Sequence, residues 1–230
     1  MEVKKLQQSI IDYKNFVRKD REFNYAYIWE SLQTFQKNWD VDAPDFAAMY
    51  EQSFQNEKSR RLWKREAWLP KEMMVKLAKL DPEFIRRMFK DLIDEEKEVE
   101  GRISRFKFGC DTLLLDYKSK QIASIENNHF HDNNEMIFLY LAFLIPDKYT
   151  LFHYPAFQKV NELLATPIIP GPYDLSRFIK ITNVFNTFLQ RDEEVMEAHE
   201  QRLGVELRGL AKSRILVFDF YENFANGFSV

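Results

Sequence analysis

Ten consecutive apolar residues, Met136 to Ile145, lie between Glu135 and Pro146. A run that is apolar on every face has no side to turn to water, so it belongs inside the molecule. Ten residues make about three helical turns, well short of the ~20 needed to cross a membrane. The spacing therefore predicts one buried helix. A short polar link, PDKYT, follows it, then a helix over Tyr154–Leu164. The proline-rich turn TPIIPGPY leads into a long amphipathic helix.

The rest of the composition agrees with a helical interior. Apolar residues make up 45% of the 230, with 21 Phe, 10 Tyr and 4 Trp, enough to build a sizeable core. Six glycines and 30% charged residues suit long helices better than sheets, which use more turn residues. The formal net charge of −3 argues against a uniformly basic coat, so any anion-binding surface is a local patch. Cys110 is the single cysteine and cannot form an internal disulfide. It falls in the helical pattern Phe106, Cys110, Leu113 as a small buried apolar residue, in keeping with a reducing cytoplasm. The N-terminal stretch MEVKKLQQSIIDYKNF is amphipathic and lacks the apolar centre of a signal peptide. A soluble, cytoplasmic protein is expected, with no membrane partner.

Leu6, Ile10, Tyr13 and Val17 recur at helical spacing, as do Phe23, Tyr27, Leu32 and Phe35, giving two opening helices separated near Lys19–Arg21. Asp42 before Ala43-Pro44 has the form of an N-cap, and DFAAMYEQSF continues as a helix. Pro70 opens a short helix through Leu80, and Asp81-Pro82 repeats the cap-plus-proline device. From Glu83 an almost continuous amphipathic pattern runs to about Lys118, with Gly101 and Gly109 as its natural breaks. Ser119 to Asn134 is polar and aperiodic, a loop. Asp174 can cap the helix carrying Leu175, Phe178, Ile179, Val184, Phe185 and Leu189, which extends as a charged rod through Leu203. RILVFDFY, Arg214–Tyr221, has the β-branched and aromatic character of a strand. A lone strand needs a partner, from another chain or from residues beyond Val230, which suggests a piece of a longer polypeptide. The expected fold is mainly α, a multi-helix bundle with a minor β element near the C-terminus. Residues 1–118 and 129–230 form its two regions, which could equally pack as a single domain.

Chemistry-bearing motifs are few. His129, His131, Asp132 and His153 are metal-ligand types, but no H-E-x-x-H or cysteine set accompanies them. Loop and helix-start roles, with Asp132 as an N-cap, account for them, and no metal or other cofactor is expected. Pro146-Asp147 superficially resembles the start of a nuclease motif, but no Glu-x-Lys strand succeeds it. Phosphate-cradling glycine loops and nucleophile elbows are likewise missing, so no catalytic residue is assigned. The segment from Lys58 to Lys71 is different. Lys58, Arg60, Arg61, Lys64, Arg65 and Lys71 stand against one acid, Glu66, with Trp63 and Trp68 interleaved. Such cations can neutralise phosphates while an aromatic ring stacks on a base. Arg102, Arg105 and Lys107 around Phe106 form a smaller basic cluster. Acids concentrate in Asp91–Glu100 and Asp192–Glu200, with like-charge pairs Asp94/Glu98 and Glu193/Glu197 at helical spacing.

Four stretches carry a resemblance: NWDVDAPDFAAMYEQSF (Asn38–Phe54), LPKEMMVKL (Leu69–Leu77), HFHDNNEMIFLYLAFLIPDKY (His129–Tyr149) and IPGPYDLSRFIK (Ile169–Lys180). In order and character they resemble the N-terminal region of bacterial McrB-type AAA+ proteins, from modification-dependent restriction systems. The resemblance implies a targeting module for anti-phage defence, ahead of a GTP-driven AAA+ motor and acting with a separate nuclease subunit. The leading expectation is a non-enzymatic module that contacts DNA through Lys58, Arg60, Arg61, Lys64 and Arg65, with Trp63 stacking. Those residues are assigned from charge and aromatic content, not from the family. The alternative is a helical protein-interaction or assembly module without DNA binding, using the acidic helices or the strand, and open to homo-oligomer formation.

Overall fold

The computed structural model describes residues 1–20, 23–55, 61–62, 69–120 and 128–228. Among these residues the chain forms helices α1 (Val3–Lys19), α2 (Ala26–Asn38), α3 (Phe46–Ser53), α4 (Leu69–Leu80), α5 (Pro82–Leu92) and α6 (Val99–Lys120). They are followed by α7 (Asn134–Leu144), α8 (Tyr154–Leu163), α9 (Leu175–Arg191), α10 (Glu193–Leu207) and α11 (Ile215–Ala225). No strand occurs among the described residues, and no helix there is long and apolar enough to cross a membrane. The chain groups into two compact units: Met1–Trp29 with Ile145–Val230, and Glu30–Leu144. Lys118 and His129, at the edges of the two sequence regions, both fall in the second unit.

In the second unit the apolar run is α7, with every residue from Met136 to Phe143 buried. Rings from four helices enclose it. Phe89 of α5 and Phe106 of α6 lie 5.1 and 5.8 Å from the Tyr140 ring. Phe35 of α2 sits 5.5 Å from Phe143, and Tyr50 of α3 6.3 Å from Tyr140. Edge-on and tilted contacts of this kind add about 0.5–1.5 kcal/mol per pair to the burial itself. Around this centre α3 packs on α4, and α5 packs on α6.

Short-range chemistry sets the helix ends. Asp81 accepts the Phe84 N–H at 2.8 Å with Pro82 in the first turn, and Asp174 accepts that of Arg177 at 3.2 Å. Both caps were legible in the sequence. The cap of α3 is Asp45, not Asp42: its carboxylate accepts the Ala48 N–H at 2.9 Å, while Asp42 pairs with Lys90. The helix expected from Glu83 to Lys118 is two, broken at residues 93–98. There Asp94 accepts the Glu96 N–H, and Lys97 bridges Asp91 and Asp94. Neither glycine breaks it. A Cβ on Gly109 would lie 2.7 Å from the Met88 sulfur, so this glycine lets α6 approach α5 closely. The charged rod is likewise divided, since Asp192 ends α9 and caps α10 by accepting the Val195 N–H.

The strand expected at Arg214–Tyr221 is helix α11, carried on to Ala225. Ile215, Leu216, Val217, Asp219, Phe220, Tyr221 and Glu222 are all buried. An apolar run buried on all sides carries no periodicity to separate strand from helix. A helix satisfies its backbone within the segment, whereas a strand needs a neighbour. In the first unit α11 packs on α8 and α9, while α1 packs on α10 and α11.

Asp219 of α11 is buried with partners from other helices. Asp219 accepts from the Tyr13 hydroxyl and, at 2.6 Å, from Arg202 Nη2. Arg202 also reaches Asp20 at 3.3 Å and lies 3.9 Å over the Phe23 ring. Burial works against the Arg202 charge, but Asp219 and Tyr13 together outweigh it, and the guanidinium pKa is raised. His199 Nδ1 faces Arg202 Nη2 at 3.1 Å. An arginine only donates, so this nitrogen accepts and the ring is neutral. Burial, with the Arg202 cation beside it, drives the His199 pKa well below its ordinary value.

Asp219→Ala leaves buried Arg202 with only the more distant Asp20 carboxylate as counter-charge and should lower unfolding stability by about 2–4 kcal/mol, measured by urea denaturation. His199 binds a proton below pH ~6.5 when unfolded but not when folded, so its contribution is whole above that pH and is lost as pH falls. Stability should therefore decline from pH 6.5 to 5, and the decline should be shallower in His199→Gln; equal slopes in the two proteins would contradict this.

Candidate functional site

Tyr140 places a hydroxyl in the middle of the most apolar helix, where it must find partners. It has two, Tyr50 Oη at 2.8 Å and His131 Nε2 at 2.8 Å. His131 Nδ1 lies 2.6 Å from the His129 carbonyl oxygen. A carbonyl only accepts, so Nδ1 carries the proton and Nε2 accepts from Tyr140. Tyr140 in turn accepts from Tyr50. The direction of the relay is fixed from α3 through α7 to the loop preceding it. Burial holds the His131 pKa down to about 3 and pushes both phenols up.

That loop carries His129, which is 1% exposed. Its Nδ1 accepts the His131 backbone N–H at 3.1 Å. Nε2 then points between two carboxylates, Asp111 Oδ1 at 3.0 Å and Asp132 Oδ1 at 3.1 Å, both on solvent-exposed side chains. Asp132 is thus a partner of His129 and not the cap of α7; Asn133 caps it, accepting the Met136 N–H at 3.1 Å. Cys110 lies behind, its ligating atom grouped with those of His129 and His131 within 4.8 Å. Burial pushes its thiol pKa up, and Asp111 and Asp132 add to the effect. Sequence reading singled out His129, His131 and Asp132 but missed Cys110 and Asp111, which α6 brings in from 18 or more positions away. No spacing rule links the two stretches.

His153 belongs to the first unit and is bonded through Nδ1 to Glu222. Its backbone N–H donates to Tyr221 Oη at 3.0 Å, and that hydroxyl donates to the Leu151 carbonyl at 2.8 Å. These bonds join the start of α8 to α11.

Of the six residues assigned to nucleic-acid contact, Lys58, Arg60, Trp63, Lys64 and Arg65 lie outside the described residues. Arg61 is exposed. The helices on either side are firmly seated: Phe54 after α3 and Met74 and Leu77 on α4 are fully buried. Lys71 is half-buried, and burial lowers its pKa against the opposing charges of Glu51 and Glu72. The smaller basic cluster is used internally. Arg102 is buried and donates to the Leu92 carbonyl at 2.7 Å, Arg105 grips Asp91, and Lys107 donates to Asn134 Oδ1 at 2.9 Å. Acids are engaged too. Asp94 meets Lys97 at 2.8 Å, and Glu194 meets Arg18 at 2.7 Å and Lys14 at 3.5 Å.

Comparison with protein-family models, curated proteins and solved structures returns no match for this chain.

Tyr140→Phe removes the link between Tyr50 and His131 and leaves two buried polar groups without partners. Unfolding stability should drop by about 2–3 kcal/mol, against little change for Tyr173→Phe, whose side chain is 81% exposed; equal losses in the two variants would contradict the relay.

Proposed function

We propose that this chain is a recognition module that binds DNA and does not transform it, serving a cytoplasmic McrB-like restriction system in which an AAA+ motor and a nuclease subunit do the work. The observation that carries the reading is the segment from Lys58 to Lys71, with six cations and two tryptophans against one acid. In an acidic protein such a concentration is a local site for phosphates, and tryptophan offers a stacking surface. The order of motifs along the chain supports the same reading.

The protein-docking alternative drew on acidic helices and an edge strand. Several of those acids are already paired with lysine and arginine, and the strand residues are a buried helix.

Fluorescence anisotropy with a labelled duplex tests the proposal. Binding should weaken steeply with salt, the slope reporting the number of phosphates contacted. Arg60→Ala, Arg61→Ala and Lys64→Ala combined should reduce that slope by about 3 and weaken binding at least tenfold. Binding unchanged by the triple substitution, or none in the wild type at low salt, rejects the proposal.

A further inference from the structure

Asp111, His129 and Asp132 converge from two elements of the second unit, the helix α6 and the loop before α7. Their ligating atoms lie within 4.8 Å of one another. Two ligand atoms about 2.1 Å from one ion, at adjacent corners of an octahedron, stand about 3.0 Å apart. The separations from His129 Nε2, 3.0 and 3.1 Å, match this. Two exposed carboxylates supply the charge a divalent ion needs, and a buried imidazole supplies a directional nitrogen. We infer that these three side chains form a binding site for a first-row divalent cation in octahedral coordination, its outer positions open to solvent. Zn²⁺, which has no geometric preference from its d-electrons, serves as the probe.

The neighbouring trio Cys110, His129, His131 is less suited to the ion. His131 uses both ring nitrogens, one on the His129 carbonyl and one on Tyr140. Its donors are buried, without a carboxylate to neutralise the metal charge. The outer trio is free to exchange, because what occupies it is a proton. His129 Nε2 carries the hydrogen that both carboxylates share, and the ion takes that place.

The exchange has a defined consequence. With a metal on Nε2, the neutral imidazole carries its proton on Nδ1, which now accepts the His131 backbone N–H at 3.1 Å. Two donors cannot share that bond, so it breaks. The loop has a residue under strain at this point: Phe130 holds φ +62°. Relaxation there accommodates the change. The site is separate from the basic segment, and the inference stands whether or not the chain binds DNA.

Calorimetric titration of Zn²⁺ into the full chain, stripped beforehand by chelator dialysis, tests it. One equivalent should bind, with affinity reduced at least about tenfold in Asp111→Asn and in Asp132→Asn and unaltered in Cys110→Ser. Both aspartates are exposed, so the variants should melt with the wild type. The His131 amide cross-peak in a ¹H–¹⁵N spectrum should shift with the same stoichiometry. Failure to bind one equivalent, wild-type affinity in either aspartate variant, loss of binding in Cys110→Ser, or an unmoved His131 amide would each overturn the assignment.

Discussion

A hydroxyl in the centre of the most apolar helix governs the second unit. Helix α7 is enclosed by rings from α2, α3, α5 and α6, and solvent cannot reach Tyr140. Leaving that oxygen unbonded would cost about 1–3 kcal/mol, so the surrounding sequence must supply partners. Tyr50 supplies one and His131 the other. Engaging His131 fixes the loop ahead of α7, which turns His129 toward Asp111 and Asp132. Core packing thus determines the arrangement of a group at the surface.

The first unit solves a similar problem with charge. Asp219 sits in α11, another helix buried on nearly every face, and its carboxylate gathers Tyr13 from α1 and Arg202 from α10. Arg202 in turn meets Asp20, past the end of α1, and His199 one turn before it. Pairing of this kind adds little net stability over apolar packing, yet loss of one partner is expensive, so the pair serves chiefly to specify which helices meet. His153 and Glu222 make a second polar contact between α8 and α11.

Helices were legible where one face was apolar, and two of their caps, Asp81 and Asp174, with them. The pattern Leu6, Ile10, Tyr13, Val17 gives α1, Asp81-Pro82 gives the start of α5, and the ten-residue run gives α7. Failures have common physical causes. Residues 215–221 are buried on all sides, so alternation and helical period cannot be told apart, and β-branched content pointed the wrong way. The break between α5 and α6 falls among charged residues whose turn is made by Asp94 and Lys97, while Gly109 marks close packing on Met88. In the candidate cation site, the loop residues His129 and Asp132 could be picked out by type, but their partner Asp111 is brought in only by the path of α6. Arg102 and Arg105, which look like free cations in one dimension, are spent on Leu92 and Asp91.

The claim on which this account turns is that Tyr140 donates to a neutral His131 whose other nitrogen is tied to its own loop. Long-range ¹H–¹⁵N correlation of the imidazole side chains reads the tautomer directly. The structure predicts a proton on Nδ1, an accepting Nε2 and no titration of that ring down to about pH 4. A proton on Nε2, or a ring that charges near pH 6.5 like an ordinary histidine, would contradict it.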